Sequence, residues 1–287
     1  GRLDRFRTEG EVSQRTAPAF TTTYQSRSEQ RFSPKLALVS RPDPEITLRA
    51  SLGTGFRPPT LLDLYSRTVS PTTVAGVFSV NEPAPDLKAE RIGAAEIGAE
   101  WRGRSGTTIA GALFSQSLTG LIYRSRKNPT LTQSVNAGRA KITGLELEAR
   151  RRLADTPLVV FANLSMLARS EITENAALPA SVGKKLTDVP ARMANIGLEF
   201  NQGAWTGSLV ARHVSHIYGS GDDLNANVVE RVFGSYDART TVSAKLAWHV
   251  TPYIQLALAV DNLANRQYFD FFKQPGTSAF AEIALRY

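Results

Sequence analysis

The segment Thr277-Ser-Ala-Phe-Ala-Glu-Ile-Ala-Leu-Arg-Tyr287 alternates strictly along its length. In an extended strand Ala279, Ala281, Ile283, Leu285 and Tyr287 point one way, and Ser278, Phe280, Glu282, Ala284 and Arg286 point the other. One face is apolar and suited to lipid, the other polar, and the strand stops on an aromatic residue. Outer-membrane barrels close on strands of this kind. A soluble sandwich can also end on an edge strand, so this feature alone leaves both architectures open.

Composition narrows the choice. The 287 residues are 42% hydrophobic and 21% charged, and no apolar run approaches the roughly 20 residues that a membrane-spanning helix requires. The chain has no cysteine, which excludes a disulfide framework and thiolate metal sites and is compatible with an oxidising compartment. Its net charge of +8 invites a nucleic-acid reading. The cations are spread from end to end, however, the densest cluster being Arg150-Arg151-Arg152, and no basic helix or stacking motif accompanies them. They fit a polar lumen, turns and lipid headgroups, and no nucleic-acid partner is expected. The beginning, Gly1-Arg-Leu-Asp4, carries no signal peptide, so such a segment is expected to have been removed or to lie upstream.

Alternation with a period of two recurs throughout, and the spacing predicts strands over residues 1–8, 31–41, 45–54, 89–102, 106–125, 131–152, 157–170, 189–201, 204–217, 236–249, 253–262 and 277–287. Their connections alternate in length. Arg41-Pro-Asp-Pro-Glu45, Gly103-Arg-Ser-Gly106, Leu153-Ala-Asp-Thr-Pro157, Gln202-Gly203 and Val250-Thr-Pro252 are tight turns. The intervening connections, 9–30, 55–88, 171–188, 218–235 and 263–276, are long, with 126–130 a short member of that set. Short periplasmic turns and long external loops are the pattern of an outer-membrane barrel. Both termini are then periplasmic.

Aromatic placement agrees. Trp101, Trp205, Trp248 and Tyr253 fall at the short-turn end, where a membrane girdle belongs, and Tyr123, Tyr218, Tyr236 and Tyr268 near the long-loop end. The strands read lipid-out and polar-in: Ile46, Leu48, Ala50 and Leu52 alternate with Thr47, Arg49, Ser51 and Gly53. A charge on the lipid face near the midplane costs roughly 2–4 kcal/mol, so Arg49, Glu146, Glu148, Arg212 and Lys245 are expected to face the lumen. The two glutamates share a face and are expected to pair with lumenal arginines.

Several segments resemble one family. Ser51-Leu-Gly-Thr-Gly-Phe-Arg-Pro-Pro-Thr-Leu-Leu-Asp-Leu-Tyr65 is similar to the Phe-Arg-x-Pro segment, followed by Leu-x-x-Leu-Tyr, of TonB-dependent outer-membrane receptors. Pro85-Asp-Leu-Lys-Ala-Glu90 with Glu96-Ile-Gly98 resembles another family strand, departing at Ala84 and Ala89 where Asn and Pro are usual. Asn136-Ala-Gly-Arg-Ala-Lys-Ile-Thr-Gly-Leu-Glu-Leu-Glu148 and Val260-Asp-Asn-Leu-Ala-Asn-Arg-Gln-Tyr268 resemble two more segments, all in the family's order. The resemblance covers the whole chain but only part of the family, whose barrel has about 22 strands around an amino-terminal plug. The expected fold is therefore an all-β antiparallel transmembrane β-barrel with about 12 of those strands present, as a single domain over residues 1–287, the plug absent.

The resemblance implies a transporter in the cell outer membrane that captures a scarce ligand, such as a ferric siderophore or cobalamin, and is driven by TonB, ExbB and ExbD through the missing plug. It further implies outer-membrane lipid and the barrel assembly machinery as partners, with Phe280 and Tyr287 as assembly signal. Ligand contacts are expected from Tyr218, Tyr236, Tyr268 and Phe269 for flat or apolar surfaces, and from Arg57, Arg124, Asp222 and Asp223 for charge and hydrogen bonding. No cofactor, metal site or catalytic residue is expected. His213 and His216 would lie on opposite faces of a strand, His249 is isolated, and no serine elbow or phosphate loop is present. Asp222-Asp223 can meet a cation, though a solvated loop accounts for the pair. The alternatives are a small self-closing 12-stranded outer-membrane channel or barrel enzyme, and a soluble all-β adhesin or binding module.

Overall fold

The computed structural model describes residues 1–14, 20–103 and 106–286, without the side chains of Gln14 and Phe20. Tyr287, and with it half of the expected assembly signal, lies outside the described residues, as do residues 104 and 105 of one turn and 15–19 of the first long connection.

The wall is an antiparallel meander. β1 (Arg2–Gln14) pairs with β2 (Phe20–Ser33), and β2 continues across Pro34 alone into β3 (Lys35–Asp43). β4 (Ile46–Arg57) follows, then an excursion of α1 (Leu61–Tyr65), β5 (Thr68–Pro71) and β6 (Phe78–Glu82). The meander resumes with β7 (Glu90–Gly103), β8 (Thr107–Asn128), β9 (Leu131–Arg152), β10 (Leu158–Asn175), β11 (Arg192–Gln202), β12 (Trp205–Val214), β13 (Arg239–Thr251) and β14 (Ile254–Asp261). A small hairpin, β15 (Phe269–Asp270) and β16 (Phe272–Lys273), precedes β17 (Ser278–Leu285). Each of β3, β4, β7 to β14 and β17 is hydrogen-bonded to the next in that order. With β2 and β3 counted as one strand and β1 added, the wall has the twelve strands the alternation predicted.

The predicted loop 9–30 is corrected: residues 9–14 and 20–30 belong to the β1–β2 hairpin. The run Tyr24-Gln-Ser-Arg-Ser-Glu-Gln-Arg31 is polar on both faces of the strand, so it gives no alternating signal. For the same reason β10 reaches Asn175 and β8 reaches Asn128, beyond their predicted ends. Two of the expected turns are closed by local hydrogen bonds: the Glu45 N–H donates to Asp43 Oδ1 at 2.8 Å, and the Tyr253 N–H to Thr251 Oγ1 at 3.2 Å.

The register builds two unlike faces. On one, Ile97 opposes Ala50 and Leu113, Leu147 opposes Leu164, Ile196 opposes Ala162 and Ala211, Leu209 opposes Ala244, and Leu258 opposes Ala281. These side chains are open, Ile196 at 59% and Leu258 at 51% exposure, so among the described residues nothing covers the apolar band. The other face carries Arg49, Glu96, Glu146, Glu148, Asn163, Asn195 and Arg212 around a recess of about 410 Å³. Glycines let aromatic rings lie flat on this face: a Cβ on Gly197 would come within 2.5 Å of the Phe161 ring and 3.0 Å of the Leu209 carbonyl. The compact apolar core is small, formed by Leu64, Tyr65, Ala84 and Leu87 with Val12, Tyr24 and Ile122 against them. No helix among the described residues is long and apolar enough to cross a membrane, a criterion that does not apply to strands.

Candidate functional site

The polar face is crosslinked along the wall. Arg49 donates to Glu100 at 3.0 Å, Arg102 also pairs with Glu100, and Arg150 meets Glu199 in a forked pair at 2.6 and 3.4 Å. Asn195 Nδ2 donates to Asn163 Oδ1 at 2.7 Å. Glu146 and Glu148 face the same recess but, among the described residues, make no ion pair; Glu148 acts on Arg150 through its charge alone. The expected pairing with lumenal arginines is thus corrected. The register puts those arginines opposite other groups, Arg49 beside Glu100 and Arg150 within reach of Glu199.

At the long-loop end, two carboxylates organise the mouth. Asp237 is buried and accepts three hydrogen bonds, from the Arg231 N–H at 2.9 Å, the Ser235 hydroxyl at 2.7 Å and the Phe269 N–H at 2.8 Å. Burial alone would raise its pKa, but these donors outweigh burial and hold the carboxyl below the usual range. Asp237 thereby ties the segment before β13 to the β15–β16 hairpin, a link reinforced by Arg239 on Asp270 at 2.9 Å. Asp188 ties a second pair of loops, accepting from the Ser220 N–H at 3.0 Å and the Ser220 hydroxyl at 2.6 Å, while its own N–H donates to the Tyr218 carbonyl at 2.7 Å.

The expected contact residues take different places in this frame. Asp222 is occupied locally, accepting from the Ala226 and Asn227 N–H groups at 2.8 and 2.9 Å. Asp223 is half-buried; burial pushes its carboxyl above the usual range, and the negative charges of Asp222 and then Asp188 add to the shift. Tyr218 stands edge-on to His216 at 5.1 Å, and the Tyr236 ring lies against Gly219 and 6.1 Å from Phe271. Tyr268 lies under the Arg239 guanidinium at 5.0 Å, and Phe269 supplies the N–H on Asp237. These six share one loop assembly. Arg57 and Arg124 stand apart on the wall: Arg57 pairs at 2.6 Å with the buried Glu90, which also takes the Ile122 N–H, and Arg124 is exposed opposite Ser134. Of the aromatics expected to form a girdle, Trp205 and Trp248 stack at 5.4 Å, and Trp101 Nε1 donates to Glu45 at 3.3 Å. Tyr253 lies exposed on the neighbouring turn, and Phe280 opposes Ala259.

Sequence reasoning missed several residues here. Asp188 and Asp237 are loop carboxylates with no motif around them. Tyr123 on β8, placed by the sequence at the long-loop end but not among the ligand contacts, is close enough to Asp223 and Glu90 for their charges to act on its hydroxyl. Phe233, Phe271 and Phe272 pack edge to face at 4.9 to 5.6 Å while remaining exposed. Phe271 sits at φ 62°, an unusual conformation for a bulky residue, held where its N–H donates to the Ser235 carbonyl and its carbonyl accepts from Gly234. The paired Phe271-Phe272 inside a polar loop was the available signal. No group of three His, Cys, Asp or Glu side chains arranged to hold a metal ion occurs among the described residues.

A meander with an exposed apolar face, a polar face that carries a recess and elaborate loops at one end fits the wall of an outer-membrane β-barrel. The profile "TonB dependent receptor-like, beta-barrel" matches residues 1–263, and the chain belongs to that family, whose members are outer-membrane receptors and transporters rather than enzymes. The pesticin receptor of Yersinia pestis is 27% identical over 230 residues, 77% of this chain and 32% of the relative. The pesticin receptor of Yersinia enterocolitica is 30% identical over 154 residues, 52% of this chain and 21% of the relative. The chain thus spans at most about a third of these relatives. Among solved structures, the copper transporter OprC superposes with a TM-score of 0.75 at 21% identity, over 99% of this chain and 44% of that one. The siderophore receptor PiuA from Acinetobacter baumannii superposes at 0.73 and 18%, over 99% and 40%. At such identities the likeness speaks for the fold.

Proposed function

We propose that residues 1–287 form one barrel domain of a receptor that captures a ferric siderophore or a comparably scarce chelate such as cobalamin, and moves it inward with energy from TonB, ExbB and ExbD. The observation that carries this reading is the mouth: loops fastened through Asp188 and Asp237 hold the half-buried Asp223 within electrostatic reach of Tyr123 above a polar lumen. Tyr218, Tyr236, Tyr268 and Phe269 supply flat surfaces, and Asp223, Arg57 and Arg124 supply charge, while Asp222 shapes its loop. Siderophore receptors among the structural neighbours support a chelate. The chain itself, with no cysteine, two methionines and three histidines, has little to offer a bare soft metal ion.

In this reading the apolar band faces lipid, Trp101, Trp205, Trp248 and Tyr253 mark the periplasmic interface, the long loops are external, and Phe280 with Tyr287 is read by the assembly machinery. The edges support a larger barrel over a self-closing one: among the described residues β1 and β17 do not pair with each other, and an unpaired edge in hydrocarbon costs several kcal/mol per polar group. The exposed apolar band argues against a soluble adhesin. No catalytic step is assigned.

The test is ligand binding by the full-length receptor carrying Tyr218→Ala or Asp223→Ala, with iron–siderophore uptake by a receptor-deleted host as readout. A direct contact is worth at least about 1 kcal/mol, so each variant should bind roughly fivefold or more weakly. Parent-like binding by both would move the site elsewhere. Cysteine labelling of whole cells at Ser220, and its absence at Gly103, tests the orientation; the reverse pattern would overturn it.

A further inference from the structure

The apolar face ends abruptly in cations at its upper edge. On β9 the outward series Ala149, Leu147 and Leu145 gives way through Thr143 to Lys141 and Arg139. On β10 Leu164 and Met166 are followed, past a register shift, by Arg169, and on β11 Ile196 and Ala194 are followed by Arg192. Segment 183–186 folds back along β10, where the Leu186 N–H donates to the Ser170 carbonyl and Lys185 bridges to Glu171. This places Lys185 in the same row as Glu171 and Lys141, which oppose each other in the register. Arg139, Lys141, Arg169, Lys185 and Arg192 are all exposed. Two carboxylates interrupt them: Glu174 pairs with Arg139 at 3.1 Å, and Glu171 pairs with Arg169. Five cations against two anions leave the patch positive, and among the described residues neither Lys141 nor Arg192 has an ion-pair partner.

The height of the patch is informative. Lys141 lies ten positions above Arg151 along β9, and Arg192 ten above Gln202 along β11. At about 3.3 Å per residue and a tilt near 45°, ten positions rise about 23 Å, close to the roughly 25 Å apolar band of an outer-membrane barrel. The cations therefore sit where hydrocarbon gives way to headgroups, on the face that points to lipid and on the external side. We propose that this patch is a docking site for the phosphate groups of an anionic outer-leaflet lipid, its acyl chains lying on the apolar strip below. The arginine forks and lysine ammoniums match phosphate oxygens, and the apolar strip is continuous with the patch. Glu171 and Glu174 hold Arg169 and Arg139 in place rather than cancel them.

The inference rests on the membrane reading of the chain. The experiment places the full-length receptor in phosphatidylcholine nanodiscs with or without diphosphorylated lipid A, and counts retained lipid A by native mass spectrometry. A surface cation contributes about a fivefold preference for anionic lipid, so Lys141→Gln with Arg192→Gln should lower retention roughly 25-fold. Lipid A stripped of its phosphates should be retained no better by the parent than by this double variant. Lys245→Gln, on the lumen face, should leave retention unchanged. Parent-like retention by the double variant, or equal retention of the dephosphorylated lipid, would overturn the proposal while leaving the membrane reading intact. A receptor that never enters the discs would overturn both.

Discussion

Replacing Asp237 with asparagine changes one atom and should unfasten the mouth without touching the wall. In the parent, Oδ1 takes the Arg231 N–H and the Ser235 hydroxyl, and Oδ2 takes the Phe269 N–H. An amide can keep its oxygen toward the first two, but its NH2 then confronts the Phe269 N–H. One charge-assisted bond worth about 1.5–3 kcal/mol is lost, and a buried donor is left without an acceptor. A cost of about 3 kcal/mol should raise local opening of the β15–β16 hairpin roughly a hundredfold. Amide exchange, followed by mass spectrometry on peptides covering residues 228–238 and 266–274, reads this directly, with β9 to β12 as the internal control. The pH dependence has a definite sign. Because the folded carboxyl titrates below its unfolded value of about 3.9, its stabilisation is present above that pH and lost as the pH falls through the folded pKa. The parent hairpin should loosen in acid, and the asparagine variant should show no such transition. Equal protection of the two proteins at neutral pH would refute the assignment of Asp237 as the fastener.

Asp223 should behave in the opposite way. Its folded pKa is raised, so its contribution favours the folded loop below the unfolded pKa and is lost as the pH rises through the folded one; Asp223→Asn should therefore increase exchange protection of residues 218–226 at neutral pH. Gly144→Ala would put a Cβ 2.5 Å from the Phe114 ring and 2.8 Å from the Met166 carbonyl, and because the carbonyl cannot swing away it should cost about 1–3 kcal/mol. Gly93→Ala, with open space at that position, should cost nothing, and the temperature at which gel mobility becomes heat-modified compares the two. A double-mutant cycle on Arg150 and Glu199, whose side chains are 47% and 42% exposed, should give a coupling of only about 0.5–1 kcal/mol that shrinks in salt; a larger value would mean the lumen excludes water there.

Legibility in the sequence followed the environment of each segment. Where a strand has lipid on one face, alternation is enforced residue by residue, so β4, β13, β14 and β17 could be read almost to their ends. Where both faces of a strand carry polar side chains the pattern lapses, which is why most of β2 and the upper part of β10 read as loop. The mouth was the least legible part. Tyr218 and Asp223 could be nominated by residue type and position, but the residues that hold them, Asp188 and Asp237, act through main-chain donors distant in sequence, and a carboxylate that bonds backbone leaves no trace in side-chain pattern. Asp222 illustrates the converse: by residue type it matched its neighbour, yet both its oxygens are spent on Ala226 and Asn227.

The two kinds of carboxylate at the mouth divide its work. Asp237 and Asp188 are satisfied by donors from the chain itself, so they gain nothing from a ligand and serve to hold geometry. Asp223 is held half out of water beside two like charges, a state that costs free energy in the unliganded loop. A ligand that brings a hydrogen-bond donor or a positive charge to Asp223 relieves that cost, whereas one that brings further negative charge increases it. Binding and loop order are then linked, and the linkage is reciprocal: raising the pH, which charges Asp223 more fully, loosens the empty loop while strengthening its attraction for a donor-rich ligand. A ligand whose affinity falls as Asp223 becomes charged cannot be using this contact, and its affinity measured across that titration, in the parent and in Asp223→Asn, distinguishes the two cases. In the asparagine variant the dependence should vanish whichever sign it has, because the only group removed is the one that titrates.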